Sequence, residues 1–314
     1  MDRRTAIQMI GGALAAPLAG GRVVANAKAP VWKTAVGLNG FASSALKYDT
    51  VFPIWEVLDF VSRTGFDGVE LMRGWPSGGY PRAGETQRIR ALKRLYDAFG
   101  LKVFSLQLGA GGAFAPNERA RGRWLERARD EIEFARQMGC EWVGFWPGGR
   151  LRGQTIEQAI EHLGASFRKV GQIVGEFGMN AAYEIEPPFV FNTEDHLKRM
   201  IAAIDHPRVK TIYDPSHFDL MNGSTGRPHE MLERIGVTNI GYVHLTDCDG
   251  TLRDGGTSKH LACGDGHIDI ARSLKVLRDG GFTGWIMIDA WQIPDPYDAF
   301  TKGKRAIDRA QANA

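Results

Sequence analysis

Residues 180–217 read NAAYEIEPPFVFNTEDHLKRMIAAIDHPRVKTIYDPSH, and this stretch holds the unit from which the rest of the chain is built. The apolar run Asn180–Glu186 predicts a buried strand, Thr193–Ala203 a helix, and Val209–Tyr213 a second strand. Working outward in both directions, the same alternation of short apolar and longer amphipathic runs recurs about eight times from Val31 onward. Further strands are predicted at Thr34–Leu38, Gly68–Met72, Lys102–Leu108, Trp142–Trp146, Gly241–Leu245 and Gly284–Ile288. They are rich in Val, Ile, Phe, Tyr and Trp and bounded by Gly, Pro or Asp, as buried parallel strands are. Helices are predicted over Ile54–Arg63, Glu85–Phe99, Asn117–Met138, Ile156–Phe177, Pro228–Ile235, Ile270–Arg278 and Asp298–Ala310. Glycines after several of them, as at Gly100, Gly139 and Gly280, fit left-handed helix ends.

Eight strand-then-helix units point to an α/β fold whose parallel sheet closes into a (β/α)8 barrel. An open doubly wound sheet fits less well, because no strand runs into a GxGxxG or GxxxxGK turn. Gly109–Gly112 is glycine-rich but lacks that spacing and a phosphate-binding lysine. No linker divides residues 28–314, which read as a single domain.

Residues 1–27 are set aside as an export signal. Arg3 and Arg4 form a twin arginine, Met9 to Gly20 is a weakly apolar run of small residues, and Ala25-Asn26-Ala27 is a cleavage signature. The apolar run is too short to span a bilayer. The expected mature chain begins near Lys28 and resides in the periplasm or otherwise outside the cytoplasm, with no stable membrane association.

The composition, 43% hydrophobic and 24% charged over 314 residues, is that of a soluble globular protein. A net charge of +3 without a basic cluster gives no footprint for nucleic acid. The three cysteines, Cys140, Cys248 and Cys263, form no CxxC pair and no disulfide framework, although a Cys248–Cys263 bridge stays open. Whether the chain forms a homo-oligomer is also left open.

Active sites of such barrels lie at the C-terminal ends of the strands, and there the ligand-type residues gather. The fifth strand ends Tyr183-Glu184-Ile185-Glu186-Pro187-Pro188, the sixth Tyr213-Asp214-Pro215-Ser216-His217, the seventh Val243-His244-Leu245-Thr246-Asp247, and the eighth Ile288-Asp289-Ala290-Trp291. Side chains alternate along a strand, so Glu184 and Glu186 are expected on one face. Two carboxylates delivered by an apolar strand are costly without a cation or water to meet them. An oxygen-rich set with one or two histidines suits a single divalent ion, Mn²⁺ first, with Mg²⁺, Co²⁺ or Zn²⁺ as alternatives. Asn39, Glu70, Gln107, Trp75 and Trp146 fall at the front of the barrel, where aromatic faces beside polar groups suit a sugar. Arg253, Lys259, His260 and His267 lie in the long segment after the seventh strand and are candidates to reach substrate.

Phe66-Asp67-Gly68-Val69-Glu70-Leu71, the Glu184 strand, Asp214-Pro215-Ser216-His217, His244-Leu245 and Gly264-Asp265-Gly266-His267-Ile268-Asp269 together resemble the sugar phosphate isomerase/epimerase family, the xylose isomerase-like TIM barrels. Ketose 3-epimerases and endonuclease IV-type enzymes belong to the same superfamily. The resemblance covers essentially all of the chain beyond the leader. It implies one metal held by Glu184, Asp214, His244 and Asp289, with His217 binding substrate. Glu184 is preferred over Glu186 because its spacing to Pro187 matches the family's Glu-x-x-Pro form. Asp289 departs from the pattern, standing where the family usually has the longer glutamate.

The activity implied is a metal-dependent isomerase or epimerase acting through an enediolate on a keto-sugar or related carbohydrate. Glu184 and Asp289 are the expected catalytic proton carriers, with His217, Glu186, Glu70, Gln107 and Arg253 as substrate-binding residues. A lyase or dehydratase acting on a keto-sugar or 3-keto-glycoside with the same metal site is the nearest alternative, and a non-catalytic carbohydrate-binding protein the next. The expected partner is a small carbohydrate and not nucleic acid.

Overall fold

The computed structural model describes residues 32–76, 79–253 and 256–312. The expected leader, residues 1–27, lies outside the described residues. The barrel strands are β1 (Lys33–Gly37), β2 (Gly68–Met72), β3 (Lys102–Gly109), β4 (Trp142–Trp146), β5 (Asn180–Tyr183), β6 (Val209–Tyr213), β7 (Ile240–Leu245) and β10 (Trp285–Ile288). They pair in parallel in the order β1-β10-β7-β6-β5-β4-β3-β2, and β1 closes the ring by pairing with both β10 and β2. The closed (β/α)8 barrel is thus the architecture observed.

Around the barrel run α2 (Ile54–Arg63), α3 (Thr86–Ala98), α4 (Glu118–Met138), α5 (Ile156–Glu176), α6 (Glu194–Ile204), α8 (Pro228–Ile235), α9 (Ile270–Asp279) and α10 (Pro296–Ala312). Their local chemistry is visible at the ends. Thr155 and Gln158 exchange side-chain and backbone hydrogen bonds as a capping box on α5, and Gly139 ends α4 in the left-handed region.

Four features depart from expectation, all at the rim. The first strand stops at Gly37, and a helix, α1 (Leu38–Tyr48), starts at once. Its run of Gly, Ala and Ser residues carries too little apolar periodicity to announce it. The fifth strand stops at Tyr183, three residues short of Glu186. The Glu184 amide still donates to the Phe145 carbonyl at 2.9 Å, but Pro187 has no amide to extend the ladder. The segment after β7 folds back as an antiparallel hairpin, β8 (Asp247–Leu252) with β9 (Ser258–Leu261). A short helix, α7 (Pro215–Met221), follows β6 directly.

The barrel interior is filled by Ala35, Phe104, Ala182, Ile212, Tyr242, Trp285 and Met287. Phe104 stacks on Trp285 with ring centroids 4.6 Å apart, and Tyr242 meets Phe104 edge-on at 5.4 Å. Below them, at the N-terminal end of the strands, Glu141 accepts hydrogen bonds from Trp285 Nε1 at 2.8 Å, Lys33 Nζ at 3.2 Å and Lys102 Nζ. That end is plugged and cross-tied, which leaves the opposite rim for chemistry. Cys140, Cys248 and Cys263 are free buried thiols, so Cys248 and Cys263 are not bridged. Among the described residues no helix is long and apolar enough to cross a membrane.

Candidate metal centre and active site

Each rim carboxylate is held in place by how its strand ends. Asp214 leaves β6 and caps α7, with Pro215 at the first helical position. Its Oδ1 accepts from the Ser216 amide at 2.7 Å, the Ser216 hydroxyl at 2.7 Å and the His217 amide at 3.3 Å. All the capping is done by one oxygen. The other, Oδ2, is buried with no hydrogen-bond partner among the described residues and stands 3.7 Å from His217 Nε2.

Asp289 follows β10, and its amide continues the ladder to the Leu245 carbonyl at 3.0 Å. Its Oδ1 accepts from Asn39 Nδ2 at 3.2 Å and from the Trp291 amide at 3.1 Å. Its Oδ2 points at His244 Nδ1, 3.8 Å away. His244, fully buried on β7, also has that Nδ1 2.9 Å from Glu184 Oε1. Ligand atoms of Glu184, Asp214 and His244 all lie within 4.8 Å of one another, as do those of Glu184, Glu186 and His217 and of Asp214, His217 and His260. Glu184, Asp214 and His244, far apart in sequence, therefore converge on one small volume. Asp289, the fourth expected ligand, joins none of these sets among the described residues and meets the cluster through the 3.8 Å approach to His244.

The electrostatics of this volume ask for a cation. Glu70, Glu184, Glu186, Asp214 and Asp289 are all buried, and among the described residues their only ion-pair partners are the imidazoles of His217, His244 and His260. Burial and the neighbouring Glu184 push Glu186 well above the usual carboxylate range. Burial, with Asp214, Glu184 and Glu70 adding to it against His244, raises Asp289 to about 7. Burial alone would strip His244 of its charge, but the carboxylates of Glu184 and Glu70 outweigh it and raise its pKa well above the imidazole norm. His217 goes the other way, lowered by burial to about 4. Unpartnered buried carboxylate oxygens are expensive, and a divalent ion at this point would satisfy Asp214 Oδ2. The donors, carboxylates with imidazole and no thiolate, fit such an ion.

Above the cluster opens a cavity of about 320 Å³ lined by Glu184, Glu186, His217 and Asp289 together with Asn39, Gln107, Trp146, Phe189, Trp291 and Gln292. The xylose isomerase-like TIM barrel family matches residues 58–310. The chain belongs to that family.

Three relatives show how far the likeness extends. An inosose dehydratase of Bacillus licheniformis is 26% identical over 175 residues, which is 51% of this chain and 55% of that one, so the match spans little more than half of the enzyme's length. The rhizopine catabolism protein MocC of Rhizobium meliloti is 25% identical over 275 residues, 80% of this chain and 79% of that one. The crystal structure of IOLI protein with a binding zinc atom superposes with a TM-score of 0.70 at 16% identity, over 90% of this chain and 98% of that one, a likeness of fold.

Several expected site residues in this xylose isomerase-like barrel sit elsewhere than the sequence implied. Glu70 does not line the cavity. It lies behind His244, with Oε2 3.2 Å from Nε2, and its Oε1 accepts from the Tyr242 hydroxyl at 2.7 Å. Arg253 does not line it either, and instead donates to the Gln292 carbonyl at 3.1 Å. Trp75 stacks on Phe41 at 5.9 Å rather than joining the wall, Lys259 pairs with Asp249, and His267 is turned to Asp219. Asp214 and His244 lie beneath the cavity floor, 1% and 0% exposed. Gln107, Trp146 and Asn39 do face it.

The hairpin supplies what sequence reasoning undervalued. Ser258 Oγ is 3.0 Å from His217 Nδ1, which fixes that ring with Nε2 toward the carboxylates. His260 lines the cavity fully buried, with neither ring nitrogen hydrogen-bonded among the described residues, and burial lowers it to about 3. It is a neutral imidazole facing the place where a substrate would sit. The glycine-rich motif after the hairpin has a structural use: the Cys248, Gly264, Gly266 and Ile268 amides all donate to the Asp247 carboxylate, between 2.8 and 3.1 Å.

Proposed function

We propose that this barrel is a divalent-metal-dependent isomerase or epimerase that acts on an uncharged keto-sugar through an enediolate. The observation that carries the reading is buried Asp214, which offers a ligand atom within 4.8 Å of Glu184 and His244 and whose Oδ2 has no hydrogen-bond partner among the described residues. Glu184, Asp214, His244 and Asp289 are the proposed ligands, and Mn²⁺ is the first choice for their oxygen-rich set. The bound ion supplies positive charge that acidifies a C–H beside a carbonyl. The protein does the rest. Glu184 and Asp289 both approach His244 Nδ1, at 2.9 and 3.8 Å, and one carboxylate removes the proton while the other returns it. His217 and Glu186 orient hydroxyls from the cavity wall, and His260 adds one donor and one acceptor. Trp146, Phe189 and Trp291 offer apolar faces to a sugar ring. Among the described residues no lysine or arginine lines the cavity, which favours a neutral substrate over a phosphorylated one. The twin-arginine leader supports action outside the cytoplasm.

A second reading is favoured by the similarity to inosose dehydratase and by the raised Glu186 carboxyl. After the same C–H cleavage, a protonated Glu186 gives its proton to a β-hydroxyl, which leaves as water. Proton NMR in D₂O, with the Mn²⁺-loaded protein and a panel of keto-sugars and 3-keto-glycosides, separates the two. Deuterium beside the carbonyl with every substituent retained marks epimerisation, whereas loss of a hydroxyl or glycosidic group marks elimination. Glu184→Gln is expected to abolish exchange in a folded barrel. Failure of every substrate to exchange deuterium, in protein holding stoichiometric metal, ends the enzymatic reading.

A further inference from the structure

A second group of ligand-type side chains meets away from the rim, where α7, β8 and the loop before α9 touch. Asp219, Cys248 and His267 each present one ligand atom, and the three atoms lie within 4.8 Å of one another. His267 Nε2 is 2.7 Å from Asp219 Oδ2, and Cys248 Sγ is 3.8 Å from the same oxygen. The other carboxylate oxygen accepts the Gly226 amide at 2.7 Å, which fixes Oδ2 toward its two neighbours.

The backbone makes room for this meeting. Gly226 and Gly250 both have positive φ, at 72° and 78°. A Cβ on Gly250 would stand 2.8 Å from His267 Cε1, and one on Gly226 2.6 Å from the His267 carbonyl oxygen. Asp219 and Cys248 are fully buried, while the His267 side chain is 36% exposed and gives an ion a way in.

We propose that Asp219, Cys248 and His267 bind a second metal ion, a Zn²⁺ completed by water, independent of the rim cluster and of the reaction assigned to it. One thiolate, one imidazole and one carboxylate suit tetrahedral zinc and fit Mg²⁺ or Mn²⁺ poorly. With Zn–S near 2.3 Å and Zn–N and Zn–O near 2.0–2.2 Å, tetrahedral neighbours stand about 3.5 Å apart for S···O and about 3.3 Å for N···O. The observed 3.8 Å already approaches the first, and a swing of the exposed ring by about half an ångström reaches the second. On binding, the zinc–sulfur bond replaces S–H and the thiol proton leaves to solvent. The ion ties α7 to the hairpin and to the loop before α9. α7 also carries His217, but none of the three ligands belongs to the rim set.

Cobalt is the probe, since a thiolate–Co²⁺ bond gives a near-ultraviolet charge-transfer band that oxygen and nitrogen ligands do not. The full chain is stripped with chelator and titrated with Co²⁺. The expected result is two ions per chain with the band present, and one ion with the band lost in Cys248→Ser. Asp214→Asn should lose the rim ion and keep the band. If Cys248→Ser does not fold, His267→Ala, altered at an exposed ring, gives the same readout. Absence of the band from the unaltered chain, or its survival in Cys248→Ser, or in His267→Ala where Cys248→Ser does not fold, overturns the proposal and leaves Asp219 and His267 as a hydrogen-bonded pair.

Discussion

Glu70 Oε2 stands 3.2 Å from His244 Nε2, on the opposite edge of the ring from the Nδ1 that meets Glu184 at 2.9 Å. A carboxylate behind a ligating imidazole fixes its orientation and raises its basicity, and loss of such a partner typically costs about 10–100-fold in metal affinity. Glu70→Gln is therefore expected to weaken Mn²⁺ or Zn²⁺ binding by about that factor while thermal unfolding stays close to that of the unaltered chain. Competition against a chelator measures it. Unchanged metal affinity with impaired sugar binding would return Glu70 to the substrate role its position in the second strand suggested.

Gly144 is where that chain of contacts is open to a steric test. A Cβ at this position would overlap the Tyr242 hydroxyl and come within 3.3 Å of Glu70 Oε1. Gly144→Ala must push Tyr242 off Glu70, an overpacking of the barrel interior that typically costs about 1–3 kcal/mol. Denaturant unfolding should show that loss together with weakened metal binding. A variant as stable as its parent would show that the Tyr242–Glu70 contact is dispensable.

Metal affinity should depend on pH through Asp289. Burial, reinforced by the nearby carboxylates, raises it to about 7, so in the metal-free protein it carries a proton below that pH and is charged above it. The proton must leave before the oxygen can hold an ion. Affinity is thus expected to rise as pH increases through about 7, with proton release on binding at pH 6. Calorimetry in buffers of different ionisation enthalpy reads both quantities. Asp289→Asn should remove the part of the profile centred near pH 7, leaving the part set by His244, whose raised pKa also places a proton in the ion's way. A profile already flat in the unaltered chain would remove Asp289 from the ligand set.

At the other end of the barrel Glu141 makes a prediction about stability alone. Burial opposes its charge, but the hydrogen bonds from Lys102, Trp285 and Lys33 outweigh it and hold its pKa at about 2. A folded-state pKa below the unfolded one stabilises fully above the ordinary carboxylate value, and that stabilisation is lost as pH falls to about 2. Glu141→Gln should melt earlier than its parent at pH 7, with the two melting temperatures converging towards pH 2. Parallel curves across the whole range would contradict this account.

The leader makes its own prediction. If residues 1–27 act as the proposed export signal, replacing Arg3 and Arg4 with lysine should leave the protein uncleaved and in the cytoplasm, whereas the unaltered chain is expected outside it with its first residue near Lys28. Fractionation followed by N-terminal sequencing decides the matter.

The eight barrel strands were legible because buried parallel strands are written as continuous apolar runs, and tertiary contacts reinforced that local preference at each. Asp214, His244 and Asp289 were legible as polar residues placed where such runs end. Glu70 misled because alternation along a strand says which face a side chain takes but not which neighbour stands before it, and His244 occupies the position nearer the cavity. Arg253 and His260 share one inserted hairpin, and nothing in its composition distinguished the side chain that turns inward from the one that turns to the Gln292 carbonyl.

Among the described residues the β8–β9 hairpin forms a two-stranded sheet of its own apart from the barrel, yet it delivers His260 to the cavity and Ser258 to His217. Selectivity and reactivity are thereby housed in separable parts. An exchange or insertion within this ribbon would, on the proposed function, retune which molecule is accepted while the proposed ion ligands at the ends of β5, β6, β7 and β10 stay as they are. For anyone redirecting the protein to a new sugar, the hairpin is the place to begin randomising.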